Sequence, residues 1–456
     1  MSHYKPYPAY KDSGAEWLGN VPTHWDVSLL KYFARLDGGA GFPEDEQGIE
    51  DAPIPFFKVA DLSTGMTTAD NYITAETAER LRAKVFPEGT IAFAKVGAAL
   101  LLNRRVLMKV AGCVDNNMMA ALPRGVRAEW LLYLLTIFDM GWLVNPGAVP
   151  SVNQEQVGNI KLPIPTTNEQ AAIVAHLDSE TARIDALVEK KSRFIELLRE
   201  KRQALITHAV TKGLDSSVPM KDSGGEWLGQ VPEHWKVMPL QYVIADIEQG
   251  WSPECLATPA EPDEWGVVKS GCINGGIFAP DENKKLPPNF EPRPEIAIKS
   301  GDILMSRASG SSELIGSVGL VGEFRGNLML SDKIFRIKLN NNIADRYFVL
   351  VMGSRVVRTQ INNAISGAEG LANNLPQARI KKFWIALPDI EEQKKIVEFV
   401  GNSTSRLDGL IEKTKRSIKL LKEHRSALIT AAVTGQIDLR ASTITATSQI
   451  DMRKTA

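Results

Sequence analysis

The chain is poor in cysteine, has no long apolar run and carries almost no net charge. Its three cysteines, Cys113, Cys255 and Cys272, lie far apart and form no C-x-x-C pair, so neither a disulfide framework nor a zinc cage is predicted. The most hydrophobic stretch, 131–144, is interrupted by an aspartate and a glycine, and the N-terminus has no apolar signal-peptide core. We therefore expect a cytoplasmic protein without a membrane span.

The charge balance excludes one simple kind of nucleic-acid binder. There are 53 Lys plus Arg against 54 Asp plus Glu, a formal net charge of −1. A uniformly basic coat is therefore absent, and any DNA-binding surface must be local. With 456 residues the chain is also longer than the roughly 250–300 residues at which single cores stop growing, which predicts two or more domains.

Motifs that carry catalysis are missing as well. The sequence has no G-x-x-x-x-G-K-[ST] phosphate loop and no H-E-x-x-H. The one G-x-G, at 39–41, runs into Phe42-Pro43 and is interpreted as a loop. The segment 280–284 combines Pro-Asp and Glu-x-Lys pieces of a nuclease site, but no strand separates them to bring two carboxylates onto one metal. We predict a chain that is not catalytic by itself and binds no metal or cofactor.

What the sequence does contain is a tandem repeat. KDSGAEWLGNVPTHW at 11–25 recurs as KDSGGEWLGQVPEHW at 221–235, and a segment of 43 residues at 169–211 recurs at 392–434. The offset grows from 210 to 223, so the region between the repeated motifs is longer in the second copy. Its sequence has also diverged almost completely.

The second repeated segment predicts a long helix in each copy. Each begins after a proline (Pro165, Pro388) with capping-box spacing and ends near a glycine, Gly213 or Gly435. About 44 residues correspond to roughly 65 Å of helix, too long for most globular helices and suitable for a spacer. Apolar residues at alternating spacings of three and four predict a coiled-coil seam between the two copies. This seam comprises Val174, Leu177, Ile184, Val188, Ile195, Leu198 and Leu205, and Val397, Val400, Leu407, Ile411, Ile418, Leu421 and Leu428.

The two variable segments have the pattern of mixed α/β domains. Short apolar runs at 54–59, 90–94, 267–269 and 302–305 predict strands, and 128–138 predicts a helix. The fold class is therefore predicted as α+β, with two mixed α/β domains joined by two long antiparallel coiled-coil helices in a pseudo-two-fold repeat. Both domains also place an acidic stretch (37–79, 246–282) before a basic one (81–127, 284–338), which favours a basic face toward a polyanion over ordinary solvated surface.

The arrangement resembles the specificity (S) subunit of type I restriction-modification enzymes. The resemblance rests on IPTTNEQAAIVAHLDSETARIDALVEKK and LPDIEEQKKIVEFVGNSTSRLDGLIEKT, and on the endings ALITHAVTKGLD and ALITAAVTGQIDL. It implies target-recognition domains at 1–165 and 213–388 and conserved spacer helices at 166–212 and 389–438. The resemblance leaves out the end of the chain, and residues 439–456 are predicted to be a disordered tail. Each domain would read one half of a bipartite site in double-stranded DNA, and the helices would set the gap between the halves.

The resemblance also implies partners. Two modification subunits would dock on the helices and methylate adenine, and restriction subunits would join in the full complex. These partners would use S-adenosylmethionine, ATP and Mg, and no membrane would be involved.

DNA-contacting residues are predicted from residue type in the variable segments, because Arg, Lys, Asn and Ser supply most phosphate and base-edge contacts. In the Gly/Pro-rich stretches, asparagine as a turn former is the competing explanation. The candidates are Lys95, Arg104, Arg105, Asn116, Asn117, Ser151 and Asn153 in the first domain, and Lys269, Arg307, Ser309, Lys333, Asn373 and Asn374 in the second.

The tryptophans of the repeated WLGxVPxHW element (Trp17, Trp25, Trp227, Trp235) are predicted to be structural anchors, since residues that read different half-sites should differ between the copies. Two other functions stay open at this level. The chain could be a self-contained DNA methyltransferase or nuclease with a diverged site, or a coiled-coil adaptor between proteins with no role on DNA.

Overall fold

The computed structural model describes residues 4–144, 147–365 and 373–440. The chain divides into two compact units, one formed by residues up to 191 with residues from 416 onward, the other by residues 192–415. Each unit therefore contains one variable domain and a part of each of the two long helices. No helix among the described residues is long and apolar enough to cross a bilayer.

The described residues of the first domain form eleven short strands and four short α-helices. The strands are β1 Tyr10–Asp12, β2 Asn20–Pro22, β3 Asp26–Leu29, β4 Ala34–Gly38, β5 Ile54–Phe57, β6 Tyr72–Ile73, β7 Ile91–Ala94, β8 Arg105–Leu107, β9 Cys113–Val114, β10 Met118–Pro123 and β11 Lys161–Ile164. The helices are α1 Ala75–Arg80, α2 Ala98–Leu101, α3 Ala128–Ile137 and α4 Gln154–Gly158.

Long helix α5, Thr167–Lys212, leads into the second domain. Its strands are β12 Met220–Asp222, β13 Gln230–Pro232, β14 Lys236–Pro239, β15 Ile244–Gln249, β16 Trp265–Val268, β17 Asn283–Lys285, β18 Ile303–Ser306, β19 Ala308–Ser309, β20 Val318–Leu320, β21 Asn327–Met329, β22 Ile334–Leu339, β23 Asn373–Asn374 and β24 Trp384–Leu387. Its helices are α6 Asp345–Met352, α7 Arg355–Ala364 and α8 Gln377–Ile380, and long helix α9, Ile390–Val433, follows.

The two domains share one topology despite their divergent sequences. An antiparallel sheet has the order β4-β10-β7-β8 in the first domain and β15-β22-β18-β20 in the second. A second sheet, β6-β5-β9 or β17-β16-β21, has a parallel pair in each copy, β5 with β9 and β16 with β21. The apolar runs of the sequence correspond to β5, β7, β16 and β18, and the predicted helix corresponds to α3. Together with the long helices this confirms the predicted fold class.

The seam residues of the long helices lie inside the units. Nine of the fourteen are buried, and Val188, Leu205, Val397, Ile418 and Leu421 are partly buried. In the first unit Asp185 lies next to Arg425 and Glu169 lies near Arg440, so the two helix segments run antiparallel. Burial of one apolar stripe on each helix is what the spacing of three and four demands.

Two ion pairs on the helices are related by the internal repeat. Arg425 Nε lies 2.9 Å from Asp185 Oδ1, and Arg202 Nε lies 3.3 Å from Asp408 Oδ1. The two arginines are 223 positions apart and so are the two aspartates, which is the offset of the repeated segment. Polar pairs on a helix seam discriminate between registers more than they stabilise, and exposed pairs contribute only about 0–1 kcal/mol.

Each long helix begins in a hydrogen-bonded cluster with the repeated tryptophan. In the first unit Glu169 Oε1 accepts hydrogen bonds from Trp25 Nε1 at 3.5 Å and pairs with His24 Nε2 at 2.8 Å. The hydroxyl and amide of Thr166 complete a capping box with Glu169. Burial raises the pKa of Glu169 and the hydrogen bonds from His24 and Thr166 lower it, with a net downward shift.

The same cluster recurs in the second unit. Trp235 Nε1 donates to Glu392 Oε2 at 3.1 Å and His234 Nε2 lies 2.9 Å from that oxygen. Trp25 and Trp235 are fully buried. Burial and hydrogen bonding at matched positions agree with the interpretation of these two tryptophans as anchors.

The opposite helix ends on this cluster. Gly435, with φ +75°, follows α9, and a Cβ there would lie 2.3 Å from Pro22 Cδ and 3.1 Å from the Trp25 ring. Gly213, with φ +76°, follows α5, and a Cβ there would lie 3.3 Å from the Trp235 ring. The helix that was expected to extend to 438 therefore ends at Val433, because the chain reverses at Gly435.

The chain beyond this glycine remains ordered for a few residues. Leu439 is fully buried in the core of the first unit, and the Arg440 guanidinium lies 4.9 Å from the centre of the Tyr7 ring. The prediction of a disordered tail from residue 439 onward is therefore wrong for residues 439 and 440. Residues 441–456 lie outside the described residues.

We predict that Gly435→Ala destabilises the first unit by about 2 kcal/mol or more, since a left-handed backbone costs an alanine roughly 1–2 kcal/mol before any clash with Pro22. Gly213→Ala should cost about 1–2 kcal/mol because its neighbours are farther away. Urea unfolding of the full chain gives both values.

Gly401→Ala is the matched control, because Gly401 lies inside α9 with open space around it and alanine favours helix by about 1 kcal/mol. Equal midpoints for Gly435→Ala and the wild type would contradict the described helix end.

Candidate nucleic-acid interface

Three of the predicted residues in each domain meet where the central strand of the main sheet ends. In the first domain Lys95 N donates to Asn117 O at 2.8 Å, and Lys95 O accepts from Val152 N at 3.0 Å, which places Ser151 beside it. Residue 151 is bridged to Val96. The sequence separations are 22 and 56 residues, so only the fold brings this set together.

The second domain repeats these hydrogen bonds with other side chains. Arg307 N donates to Lys333 O at 2.8 Å, and Arg307 O accepts from Leu375 N at 2.9 Å, next to Asn374. The backbone therefore matches Lys95 with Arg307, Asn117 with Lys333 and Ser151 with Asn374. We call these three pairs the matched edge positions.

The last residue of the strand β4 or β15 lies next to the first of the matched edge positions, Lys95 or Arg307. Lys95 Nζ lies over Gly38, where a Cβ would be only 2.9 Å away. The corresponding strand of the second domain ends in Gln249, and its Nε2 and Arg307 Nη1 both donate to Asp332 O at 3.1 Å. A small residue thus leaves room for the lysine in one domain, whereas an amide shares an acceptor with the arginine in the other.

A glycine beside each edge allows two chain segments to touch. A Cβ at Gly39 would lie 2.0 Å from Asp115 O, and one at Gly250 would lie 2.0 Å from Leu330 O. No other residue fits such an approach. The G-x-G at 39–41 therefore serves a loop that packs against the turn carrying Asn116 and Asn117.

The predicted asparagines have different surroundings. Asn116 and Asn117 are exposed in a turn, where the backbone N of Asn117 donates a hydrogen bond to Asp115 Oδ1 at 2.8 Å. Asn153 caps α4, and its Oδ1 accepts from Gln156 N at 2.9 Å, so its side chain has a structural role. In the second domain β19 pairs with β23, which aligns Ser309 with Asn373.

The two adjacent arginines of the first domain separate into one exposed and one packed residue. Arg104 is exposed. Arg105 donates from Nη2 to Asn103 Oδ1 and Phe138 O and lies over the Phe93 ring, and burial lowers its pKa to about 10. Arg104 is therefore free to meet DNA, whereas Arg105 holds α3 and β8 together.

Structure also identifies a lysine that residue type alone did not single out. Lys58 follows β5 and Lys269 follows β16, and each is the residue before the same 3-10 turn. Lys58 contacts Gln47 Oε1, and Lys269 lies 3.6 Å from Glu282. The signal in the sequence is a lysine that directly ends an apolar run in both copies.

The ordered acidic and basic stretches are partly explained by pairing within each domain. In the first domain Asp37 Oδ2 lies 2.6 Å from Lys84 Nζ. In the second, Glu248 lies 2.6 Å from Arg336, and Glu264 lies 2.5 Å from Lys285. For these members the order of charges along the chain reflects ion pairs between the two stretches of one domain, and the basic face toward a polyanion stays a prediction that the remaining basic residues would have to supply.

Among the described residues no group of three or more His, Cys, Asp or Glu side chains is arranged to hold a metal. Asp281 and Glu282 are exposed, and Glu282 faces Lys269. The Pro-Asp and Glu-x-Lys pieces at 280–284 belong to the turn before β17 and to its first residues.

A family model decides between the functions left open above. The model described as the type I restriction modification DNA specificity domain matches residues 22–197 and 267–420. The chain belongs to this family. One match lies within each copy of the repeat.

Curated relatives carry the same description. The chain is 23% identical over 439 residues to the type I restriction enzyme EcoKI specificity subunit of Escherichia coli (strain K12), covering 92% of this chain and 90% of that protein. It is 27% identical over 266 residues to the EcoEI specificity subunit of Escherichia coli, covering 58% of this chain and 44% of that protein. These relatives are named as specificity subunits, which confirms the prediction that this chain is the specificity component and not the catalytic one.

The fold has a solved counterpart. A chain from a study of complex assembly and conformational transition of the type I R-M system superposes with a TM-score of 0.66 at 14% identity, over 91% of this chain and 99% of that one. At this identity the likeness shows the fold alone.

We predict that Arg104→Ala weakens binding to the cognate DNA by about 1–3 kcal/mol if the guanidinium reads a base, with discrimination lost in one half-site only. Arg105→Ala should instead lower the stability of the fold by about 1–3 kcal/mol, because it removes hydrogen bonds and packing. Fluorescence anisotropy on a panel of half-site variants and thermal unfolding of each mutant separate the two effects. Unchanged affinity and unchanged specificity would remove Arg104 from the interface.

Proposed function

We propose that this chain reads a bipartite sequence in double-stranded DNA, with one domain on each half, and directs methylation or restriction by partner subunits. The observation that carries the proposal is the set of matched edge positions. The same backbone hydrogen bonds present Lys, Asn and Ser in one domain and Arg, Lys and Asn in the other. A common frame with different polar side chains is what two readers of different sequences require.

In this proposal the long helices set the gap between the two half-sites. α5 has 46 residues and α9 has 44, which at 1.5 Å per residue correspond to roughly 65–70 Å. That length is close to two turns of B-DNA, at about 34–36 Å per turn. Because the repeat is pseudo-two-fold, the two domains would meet the duplex in opposite orientations and present each half-site to a partner on the opposite strand.

The partners that we propose are two modification subunits docked on the helices, joined by restriction subunits in the full complex. The helices offer repeated surfaces for two copies of one partner: Leu187 and Leu410 are exposed, as are Leu197 and Leu420, and each pair differs by 223 residues. S-adenosylmethionine, ATP and Mg would be used by those partners, and none of them by this chain. We place the complex in the cytoplasm.

Comparison of methylation maps from cells with and without this chain tests the proposal. We expect one set of adenines, all within a single bipartite sequence, to lose methylation when the chain is absent. Methylation that disappears at unrelated sequences, or none that disappears, would contradict it.

Salt dependence separates the proposal from a protein adaptor. The logarithm of the DNA-binding constant of the complex should fall linearly with the logarithm of the salt concentration. Each neutralised phosphate makes this slope steeper by about 0.9. Purified chain that methylates or cuts DNA without partners would favour the third possibility, an enzyme in its own right.

We further predict that inserting seven residues into each long helix lengthens the gap and leaves both half-sites unchanged. Seven residues preserve the seam and add about 10 Å of helix, or roughly three base pairs. The insertions belong after matched positions, for example after Lys191 and Thr414, where the two copies align. Methylation mapping reads out the gap. A changed half-site with an unchanged gap would show that the helices do not measure the spacing.

A further inference from the structure

The second domain contains a basic cavity that no other observation above explains. Its volume is about 480 Å³, within the roughly 300–1,000 Å³ of ligand pockets. It lies between β16, the start of β17 and the turn at 331–333, beside the matched edge position Lys333. Its lining includes Lys269, Lys284 and Lys333 but only one carboxylate, that of Asp332.

The positive charge of the cavity is incompletely neutralised. Lys333 Nζ lies 3.1 Å from Asp332 Oδ2, and Lys269 Nζ lies 3.6 Å from the exposed carboxylate of Glu282. The Lys284 ammonium is exposed and has no carboxylate or hydrogen-bond partner in the part of the chain that the structure describes. Asp332 is also held by the Ser252 hydroxyl.

A buried hydroxyl in the wall of the cavity lacks a partner. Ser331 is 4% exposed, and its Oγ has no hydrogen-bond partner among the described residues. A buried polar group left without a partner costs about 1–3 kcal/mol. The Oγ has less than 1 Å² of accessible surface, so a bound anion would satisfy it only after the Ser331 side chain rotates toward the cavity. Ser331 and the three lysines line the same cavity.

The first domain carries carboxylates at two positions that match residues in or near this cavity. The turn after Lys58 matches the turn after Lys269, because Asp61 N donates to Lys58 O at 3.0 Å and Cys272 N donates to Lys269 O at 3.1 Å. Asp61 therefore matches Cys272. Burial is the main cause that raises the pKa of Asp61, and the Lys58 amide partly opposes it.

A second carboxylate is replaced in the same way. Ala40 N donates to Val114 O and Trp251 N donates to Leu330 O, each at 3.0 Å, so the next residues, Asp115 and Ser331, correspond. At the matched edge, Asn117 corresponds to Lys333. The same register matches Asn116 with Asp332, so three of the four exchanges make the second domain more positive than the first and one makes it more negative.

We propose that this cavity binds a phosphate of the DNA backbone next to the half-site read by the second domain, and that the first domain has no equivalent contact. Ammonium groups and a serine hydroxyl are the donors that phosphate oxygens take, and such contacts fix the register of a protein on DNA without reading sequence. The proposal rests on the proposed function, because it assumes that this edge of the domain meets a duplex.

Cys255 provides a reporter inside the cavity. Its side chain is partly exposed and lines the space, whereas Cys113 and Cys272 are buried. Burial raises the pKa of Cys113 to about 11 and that of Cys272 to about 12, and it also raises the pKa of Cys255, where the nearby Lys284 opposes the shift. Cys255 is therefore distinguished by its partial exposure. Alkylation by a maleimide should therefore occur at Cys255, and duplex DNA containing the cognate site should slow it several-fold in the complex with the modification subunits. Cys255→Ser identifies the modified residue.

Substitution of the cavity residues supplies the second readout. Lys284→Ala should reduce the slope of log K against log salt by about 0.9, the value for one lost phosphate contact. Ser331→Asp, which introduces the residue of the first domain, should reduce affinity further while leaving the bipartite sequence unchanged. Lys299→Ala is the matched control, because Lys299 is an exposed lysine of the same domain that does not line the cavity.

The outcomes separate the cavity from the proposed function. DNA that binds with a normal salt slope but neither protects Cys255 nor distinguishes Lys284→Ala from Lys299→Ala would overturn the cavity and leave the function intact. Protection of Cys255 by inorganic phosphate but not by DNA would show an anion site that DNA does not use, and would also overturn it. Failure of the wild-type complex to bind any DNA would overturn both.

Discussion

The architecture depends on the close packing of a helix-ending glycine against a proline and a tryptophan. At Gly435 the chain turns with a positive φ directly above Pro22 and Trp25, and Trp25 donates to Glu169 at the beginning of the other helix. One small cluster thus joins the end of one long helix, the start of the other and the base of a domain. The second unit repeats it with Gly213, Trp235 and Glu392. Because both helices are fixed in this way, the two domains can diverge without disturbing the frame.

This explains which parts of the structure the sequence predicts well. The long helices follow from local signals, namely the proline and cap before α5 and α9, the heptad-like spacing and the glycine beyond, and these signals occur twice. The central strands β7 and β18 follow from apolar runs. The exact end of α9 at Val433 requires the structure, because the sequence shows a glycine near the end of the helix but not that the chain reverses there against Pro22.

The candidate interface depends on non-local contacts that residue type cannot supply. Lys95, Asn117 and Ser151 come together only through backbone hydrogen bonds between segments far apart in sequence. Asn153 and Arg105 have the right chemistry for DNA, but their side chains are used by a helix cap and by Phe138 O. The charge stretches do not show by themselves which residues are unpaired, since the pairing of Asp37 with Lys84 cannot be read from composition. A matched position is more informative than a residue type, because equivalent backbone bonds show which side chains were exchanged between the copies.

The account assigns each half-site to one domain, and a chain with two copies of the same domain tests that assignment most directly. Residues 31–160 would be replaced by 241–383, since Leu30 N donates to Ile160 O and Leu240 N to Phe383 O, each at 2.8 Å, and mark equivalent boundaries. Methylation mapping of cells that carry this chain should reveal an inverted repeat of the second half-site with the original gap. An asymmetric site that retains the first half would contradict the account.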